Sequence, residues 1–386
     1  GTPARIAIVG AGPTGLWLAI LICRRYARFT KTGIQCTPNT PVVHVFERRQ
    51  LASSSLEASD SVYGTRKILL AISQKTNALL NLHLADNTFS RGNYKLAPAC
   101  NINRLETILQ YEFQKFVKAG AAKLEFGCSI SDPDKLLEGS FDVVVVASGR
   151  RGVTDEWREA RGLSISEENV TVAAVLELCA NPELLLDANL LAVEAAVAKI
   201  GLGVQMFIRP GKSPSHRWIW LVGLPSSLTS SLAALAQNQK SRVYNSFVQL
   251  DGAISMELDS SKCQASQKKV GSESNIKIRQ CFAGLLATLD KRFQPKCVSL
   301  RVTTSAFWRA GNLIFEHPRG LVILAGDAAC GRPFYLGSTL NGHLADVVSL
   351  AEDVNWGQWG EQRKARLDQF RSYVTQVRNR ARVVEA

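Results

Sequence analysis

The sequence predicts an α/β fold in which one nucleotide-binding domain is interrupted by a second, β-rich domain. Three observations lead to this expectation. Near its start, the chain has an apolar strand followed at once by a glycine-rich turn and a helix, and residues 320–342 repeat the order of buried strand, turn and helix. Between 168 and 308 the character changes to strand-like stretches separated by Ser- and Pro-containing loops.

The N-terminal turn is Gly10-Ala11-Gly12-Pro13-Thr14-Gly15, between a strand over 5–9 and a helix over 16–26. In a dinucleotide-binding turn the first glycine permits the tight bend, the second lets a pyrophosphate approach the backbone, and the third lets the helix pack on the strand. The helix N-terminus then faces the anion. This pattern predicts a Rossmann-like site but does not distinguish FAD from NAD.

Glu47 ends a second apolar strand over 42–46 and is the predicted acceptor for ribose hydroxyls. Its distance from Gly15 is longer than usual in such domains, and a polar insertion over 29–41, which we expect to be a loop, accounts for the difference. Further along, the spacing of apolar residues predicts a helix over 104–119, and the apolar run 141–147 predicts a strand buried on both faces of a parallel sheet.

Composition excludes several classes of protein. The 386 residues are 46% hydrophobic, which suits a packed core, and no apolar run is long enough to span a membrane. The nine cysteines are odd in number and form no Cys-x-x-Cys pair, and the five histidines are scattered. We therefore expect neither a disulfide framework nor a metal site, and we expect a reducing, cytoplasmic location. A removed targeting segment stays open.

The net charge of +13 allows an anionic cofactor and substrate, or an acidic protein partner. No aromatic ladder interleaves the basic residues, so nucleic acid is not an expected partner. Residues 351–386 are predicted to form a basic helix packed on the core. One face of that helix carries an apolar stripe, made of Leu367, Phe370, Tyr373 and Val377.

The C-terminal motif identifies the family that the chain resembles. Gly326 and Asp327 follow the strand over 320–324, and a helix runs from there to about residue 352. Together with the N-terminal turn, this segment resembles the group A flavin monooxygenases, the family of p-hydroxybenzoate hydroxylase and kynurenine monooxygenase, and it is also similar to the flavin domain of the MICAL actin oxidases. The family's second FAD motif reads approximately Gly-Asp-Ala-Ala-His, then Pro, then Gly-x-Gly-x-Asn. Its counterparts here are Asp327, Pro333, Gly337 and Asn341, with Cys330 for the histidine and Thr339 for the second glycine.

The resemblance implies FAD as the bound cofactor and assigns roles to individual residues. Asp327 is expected to hold the ribityl chain, and the segment from Gly337 through Ser338, Thr339 and Leu340 to Asn341 is expected to face the pyrimidine edge of the flavin ring. A helix N-terminus there would stabilise negative charge on the reduced ring. Arg48 follows Glu47, Arg66 matches the arginine that follows the ribose-binding acid, and Arg104 matches an arginine that contacts FAD.

The middle motif departs from the family. The usual Ala-Asp-Gly after the apolar strand reads here Ala147-Ser148-Gly149-Arg150-Arg151. Loss of that aspartate puts efficient NAD(P)H-driven turnover in doubt. The basic pair resembles the MICAL version of the motif and either contacts a nicotinamide phosphate or is solvated.

Substrate residues are expected near the reactive edge of the flavin. Phe334 and Tyr335 are the first candidates for shaping that pocket, and Arg209 and Trp220, on second-domain strands, are candidates for an anionic or aromatic substrate, with surface exposure or core packing as the alternative for each. Trp218 and Trp220 are similar to part of a flavin-halogenase motif, but Pro225 falls too late for it.

The predicted architecture is therefore a Rossmann-like FAD-binding domain of the p-hydroxybenzoate hydroxylase type (1–72, 99–167 and 309–350) with an inserted β-rich substrate domain (73–98 and 168–308). The resemblance implies a monooxygenase that hydroxylates or epoxidises an organic, aromatic or biosynthetic substrate with O2 and with NADPH or NADH as transient reductant. A FAD-binding protein without this activity (a cyclase or isomerase-like scaffold) and a flavin-dependent halogenase are the alternatives.

Overall fold

A computed structural model describes most of the chain. The described residues are 2–30, 33–50, 69–84, 99–150, 152–185, 187–200, 203–210, 215–225, 228, 247–249, 284–285, 287–289, 291–293, 297–332, 339–359 and 367–382. They divide into two compact units, the first formed by Gly1–Glu168 with Phe307–Ala386 and the second by Asn169–Ala306.

The strands of the described residues are, in chain order, β1 (Arg5–Val9), β2 (Arg28–Thr30), β3 (Gly33–Gln35), β4 (Val42–Glu47), β5 (Leu69–Ala71), β6 (Ala99–Asn101), β7 (Ala122–Phe126), β8 (Val143–Val146), β9 (Ile165–Cys179), β10 (Gln205–Pro210), β11 (His216–Val222), β12 (Phe247–Gln249), β13 (Cys297–Ala310), β14 (Ile314–His317), β15 (Gly320–Leu324) and the two-residue β16 (Cys330–Gly331). The helices are α1 (Pro13–Tyr26), α2 (Gln74–Leu84), α3 (Ile102–Lys118), α4 (Asp134–Gly139), α5 (Asp155–Glu159), α6 (Asp187–Ala198), α7 (Thr339–Asp353) and α8 (Arg371–Arg382), with 3-10 turns at Pro182–Leu185 and Gly326–Ala328.

The first unit is built on a six-stranded sheet with the order β14-β15-β8-β1-β4-β7. Neighbouring strands from β15 to β7 run parallel, and β14 pairs antiparallel with β15 at one edge. The inner strands β1, β8 and β15 are almost wholly buried, as continuous runs of Val, Ile, Leu and Ala in a parallel sheet covered on both faces require. Parallel strands present their carboxyl ends at the same edge, so the predicted motifs that follow them meet there.

Helices complete the core of the first unit. α1 packs against α3 and α7, and the indole Nε1 of Trp17 donates to the Leu344 carbonyl oxygen at 3.2 Å. Arg25 Nη1 donates to the carbonyls of Ala351 and Val354, which ends α7 with a cation at its negative pole. The hydroxyl of Tyr373 on α8 donates to the Leu324 carbonyl at 2.6 Å.

The C-terminal helix has the apolar stripe that the sequence predicts. Phe370, Tyr373 and Val377 are buried, and Leu367 packs against the same core. Helix α8 itself is shorter than the basic stretch, since it begins at Arg371. The insertion over 29–41, expected to be a loop, differs from the expectation in containing the hairpin β2–β3. Its strands have mostly exposed side chains, so no apolar alternation marks them in the sequence.

The second unit contains a sheet with the order β10-β11-β9-β13-β12, and the unit boundaries fall within β9 and β13. Its core includes Leu176, Leu178 and Ile219 with Val193 from α6. The predicted strands over 204–209 and 218–222 correspond to β10 and β11, which pair antiparallel. The predicted helical segment over 229–236 and polar loop over 250–275 lie outside the described residues. Residues 73–84, assigned to the substrate domain by the sequence, lie in the first unit, where α2 packs on α7.

Candidate cofactor site

The segments that the sequence assigns to the cofactor follow four adjacent strands of the first sheet. β1 leads into the glycine turn, β4 ends at Glu47, β8 leads to Ser148, and β15 leads to Gly326. Backbone hydrogen bonds continue the ladder past the strand ends, from Gly10 N to the Phe46 carbonyl and from Ala325 N to the Val146 carbonyl. The motifs from distant parts of the chain therefore lie side by side.

The glycines of the N-terminal turn serve two different purposes. Gly10 has a φ of 109°, and a Cβ there would lie 2.7 Å from the Ser148 Cα. A Cβ on Gly15 would lie 2.0 Å from the Gly10 carbonyl oxygen. The chain itself therefore requires these two glycines. A Cβ on Gly12, in contrast, would meet only Glu106 Oε1 within 4 Å among the described residues, at 3.9 Å. The described residues therefore do not require glycine at this position, and it is suited to the close approach of a ligand.

The N-terminus of α1 is open to an anion. Gly12 is its N-cap and offers no side chain to the first amides, and no acidic residue lies in the first turn. The first amides of a helix lack partners within the helix and carry its positive partial charge. A phosphate over Gly12 would accept hydrogen bonds from them.

Glu47 faces the same turn. Its Oε2 accepts from the backbone amide of Ala11 at 2.9 Å and from Arg49 Nη2 at 2.8 Å, and its Oε1 accepts from the amide of Arg49 at 3.0 Å. Arg49 Nη1 also lies 3.3 Å from both carboxylate oxygens of Glu106, which is fully buried on α3. One guanidinium thus contacts two buried carboxylates beside the glycine turn.

Opposing effects act on the carboxyl group of Glu47. Burial raises its pKa, whereas the hydrogen bonds and charge of Arg49, together with the Ala11 amide, lower it by more, so the pKa of Glu47 lies below its usual value. The side chain is therefore an ionised acceptor at neutral pH, as binding of ribose hydroxyls requires.

Gly326 brings the C-terminal motif against the N-terminal turn. Its φ is 63°, and a Cβ there would lie 3.0 Å from Thr14 Oγ1. Asp327 follows with its backbone carbonyl accepting from Trp308 Nε1 at 3.0 Å. The Trp308 ring lies where a Cβ on Gly331 would be, 1.9 Å from Trp308 Cζ2, so glycine is required there as well.

The carboxylate of Asp327 is held by a histidine that the sequence reasoning missed. His343 Nε2 lies 2.9 Å from Asp327 Oδ1, and His343 Nδ1 lies 2.9 Å from Arg380 Nη2. Arg380 also forms an ion pair with Asp346 and donates to Cys330 Sγ at 3.2 Å. Asp327 keeps 46% of its side-chain surface exposed, which leaves it accessible to a ligand.

The middle motif is tied to the C-terminal motif by a buried cation. Arg158 is fully buried, and its Nη1 and Nη2 donate to the carbonyl oxygens of Ala328 at 3.2 Å and Arg150 at 3.4 Å. Burial lowers the pKa of this guanidinium. Arg150 pairs with Glu167 and lies over the ring of Trp308 at 5.5 Å, so it is held by neighbours.

The remaining predicted cofactor residues have mixed placements. Arg48 is exposed, and its neighbour Arg49 makes the contacts at Glu47. Arg104 is exposed in the first turn of α3. Asn341 Oδ1 accepts from the Ser73 amide at 3.0 Å, while Thr339 and Leu340 begin α7. Other predicted residues lie outside the described part of the chain: Arg66, Pro333, Phe334, Tyr335, Gly337 and Ser338.

The two second-domain candidates lie on paired strands of the second unit. Arg209 in β10 is opposite Trp218, and Trp220 in β11 is opposite Phe207. Trp220 is only 3% exposed, which is the core packing considered as its alternative role. A cavity of about 380 Å³ exists in the first unit. Its lining comprises Ser166, Arg309, Ala310, Gly311, Leu313, Ala329, Cys330, Val377, Arg378 and Ala381, and includes no predicted substrate residue.

The described residues show neither a metal-binding cluster nor a membrane-spanning helix. Among the described residues, no three His, Cys, Asp or Glu side chains come together as a metal site would require. In the part of the chain that the structure describes, no helix combines the length and the apolar character needed to cross a membrane.

Comparison with known proteins identifies the fold. No protein-family profile and no curated protein matches the sequence. Among solved structures, the chain is similar to CtdE in complex with FAD, with a TM-score of 0.54 and 13% identity over 99% of this chain and 92% of that one. It is also similar to OxyS anhydrotetracycline hydroxylase from Streptomyces rimosus, with a TM-score of 0.50 and 17% identity over 99% of this chain and 67% of that one. These likenesses confirm the predicted α/β fold, which the chain shares with CtdE and with OxyS anhydrotetracycline hydroxylase.

Proposed function

We propose that the chain is a FAD-dependent monooxygenase that hydroxylates or epoxidises a small organic substrate with NAD(P)H and O2. The observation that carries the proposal is the meeting of Thr14 and Gly326, which joins the two cofactor motifs at one edge of the sheet. The likeness to CtdE, whose structures are described as complexes with FAD and with FAD and a substrate, supports the choice of cofactor and of a small-molecule substrate.

The described residues fit FAD along its length. The open face of Gly12 and the uncapped N-terminus of α1 suit the pyrophosphate, and the ionised, oriented Glu47 suits the adenosine ribose. The accessible carboxylate of Asp327 suits the hydroxyls of the ribityl chain. Thr339 and Asn341 at the start of α7 are the proposed neighbours of the pyrimidine edge.

When bound, FAD would supply hydride acceptance from NADPH or NADH and activation of O2 for transfer of one oxygen atom to the substrate. The residues of the chain bind and orient the cofactor and exclude water around it. Phe334 and Tyr335 are proposed to shape the substrate pocket. Arg209 is proposed to bind an anionic substrate. Trp220 is proposed to contact an aromatic substrate, which requires that its buried ring become accessible. A cytoplasmic location, and an acidic protein as the alternative partner, belong to the same proposal.

The cofactor proposal is tested by Gly12→Ala. Among the described residues the new methyl group meets no atom closer than 3.9 Å, and the φ of −75° suits alanine, so the melting temperature should change by less than about 2 °C. The methyl group would nevertheless occupy the space of the pyrophosphate, and FAD affinity should fall at least about tenfold. Gly139→Ala is the control, because a Cβ there also meets no described residue within 4 Å and the residue lies in α4.

Activity is tested by anaerobic mixing of the FAD-loaded chain with NADPH or NADH. Loss of the flavin absorbance, followed by O2-dependent product formation from a panel of aromatic substrates, is the expected result. A wild-type chain that does not take up FAD contradicts the proposal as a whole. A chain that binds FAD but is bleached by neither reductant retains the cofactor assignment and removes the monooxygenase.

The departure at Ser148 gives a structural reason to consider a chain that binds FAD but is not reduced by NADPH or NADH. Ser148 Oγ is buried and has no hydrogen-bond partner among the described residues, in the place where the family has an aspartate. A FAD-binding scaffold without oxygen transfer is therefore the second candidate function. Bromide-dependent product formation would instead identify the halogenase.

A further inference from the structure

We propose that Arg380 and His343 are positioning residues that fix the carboxylate of Asp327 for a cofactor hydroxyl. The inference rests on the proposed function, because Asp327 is the predicted ribityl-binding residue. It extends that function to two residues outside both cofactor motifs, one in α7 and one in α8.

The arrangement determines which ring nitrogen of His343 carries its proton. A guanidinium has N–H donors and no acceptor, so the Nδ1 that faces Arg380 Nη2 at 2.9 Å must accept. The proton of the neutral ring is then on Nε2, which donates to Asp327 Oδ1 at 2.9 Å. Each contact in the series thus has one possible direction.

Further contacts hold the series Asp327–His343–Arg380 at its Arg380 end. Asp346 forms an ion pair with Arg380, and the side chains of His343 and Asp346 are only 3% and 4% exposed. Cys330 Sγ accepts from the same guanidinium, and Arg332 donates to the backbone carbonyl of Arg380. One acceptor site of Asp327 Oδ1 is filled by His343, whereas Oδ2 keeps both of its acceptor sites for a ligand. Nothing among the described residues hydrogen-bonds to it.

The binding experiment uses the full chain and titration with FAD. His343→Leu removes the donor to Asp327 and should weaken FAD binding about tenfold, the effect of one hydrogen bond to a charged group. His343→Gln keeps an N–H group at a similar distance and should restore the affinity to within about threefold of wild type. Arg378→Gln is the control and should leave the affinity unchanged, because Arg378 is an exposed residue of α8, the helix that carries Arg380.

A spectroscopic readout tests the arrangement without cofactor. With ¹⁵N-labelled histidine, the ring of His343, assigned by its absence from the His343→Gln spectrum, should show a bare Nδ1 and a protonated Nε2. In Arg380→Met the two tautomers should mix. If that variant fails to fold, the wild-type spectrum still decides.

Three results overturn the inference: a proton on Nδ1 in the wild type, equal FAD affinity of wild type and His343→Leu, or no rescue by His343→Gln. In each case the FAD assignment of the proposed function stands as long as the wild type binds FAD. Failure of the wild type to bind FAD overturns the proposed function, and the labelled spectrum then reports on the side-chain arrangement alone.

Discussion

Thr14 and Gly326 lie in contact although they come from opposite ends of the chain, with the threonine hydroxyl 3.0 Å from where a Cβ on the glycine would be. The contact is possible because β15 lies beside β8 in the sheet, and β8 lies beside β1, which leads into the glycine turn. Since Gly326 also has a φ of 63°, both its conformation and its surroundings favour glycine.

Gly326→Ala should therefore lower the free energy of unfolding by about 2–3 kcal/mol, of which about 1–2 kcal/mol comes from the left-handed backbone and the rest from displacement of Thr14. FAD affinity should fall with it. Urea denaturation and FAD titration measure the two effects. Gly120→Ala is the matched control, because Gly120 has a φ of 74° with nothing within 4 Å of its Cβ. Equal losses in both variants would show that the contact with Thr14 contributes nothing.

Removal of Arg49 should destabilise the chain, because two buried carboxylates beside the glycine turn lose the guanidinium that contacts both. Arg49→Met leaves Glu47 and Glu106 buried without their cation, and we expect a loss of about 3–5 kcal/mol in the free energy of unfolding at pH 7. Arg48→Met, at the exposed neighbour, should change it by less than about 0.5 kcal/mol. Similar losses for the two variants would contradict the assignment of the ion pairs to Arg49.

The same variant should weaken the pH dependence that Glu47 contributes. In the wild type the pKa of Glu47 lies below its usual value of 4.5, so its contribution to stability is present above pH 4.5 and is lost on acidification through the lowered pKa. Without the Arg49 side chain, only the backbone amides of residues 11 and 49 oppose burial, so the pKa of Glu47 rises and its stabilising contribution above pH 4.5 shrinks. Urea denaturation between about pH 3 and 7 measures the slope. An unchanged slope would show that Glu47 does not depend on Arg49.

Cysteine reactivity provides a test of the packing around the C-terminal motif. Burial raises the pKa of the Cys330 thiol to about 11, so at pH 8 little of it is thiolate and alkylation should be at least about a hundredfold slower than at an ordinary thiol. Cys36 is exposed and should react before Cys330, while Cys23 is fully buried and should resist. Mass spectrometry of the native chain after iodoacetamide treatment checks the order, with the denatured chain as control. Early modification of Cys330 would show that the core opens there.

Much of the first unit could be predicted from the sequence because its signals are local. The apolar runs before Gly10 and Gly326 and the glycine spacing set strand, turn and helix without reference to distant residues. Arg49 was missed because residues 48 and 49 form a bend after β4, where no alternation of side chains shows which arginine returns to Glu47. Glu106 was missed although a signal existed, since it lies in the apolar stripe of α3 with Leu109 and Phe113.

His343 and Arg380 could not be found in this way. The contacts that link Arg380 to His343 and His343 to Asp327 depend on how α7 and α8 pack, which no local period encodes. The hairpin β2–β3 was not predicted for a different reason: its strands are mostly exposed, so the sequence shows no alternation of apolar and polar residues there.

The position of β15 in the sheet has a consequence for biosynthesis. A ribosome releases β1 and β8 long before residues 320–324, so the emerging chain has β8 as an open sheet edge while the residues between β8 and β15 are made. The glycine turn then lacks the neighbour that Gly326 later provides. Under the proposed function, we therefore expect FAD to be loaded late, after β15 has been inserted into the sheet and α7 and α8 have packed on the first unit.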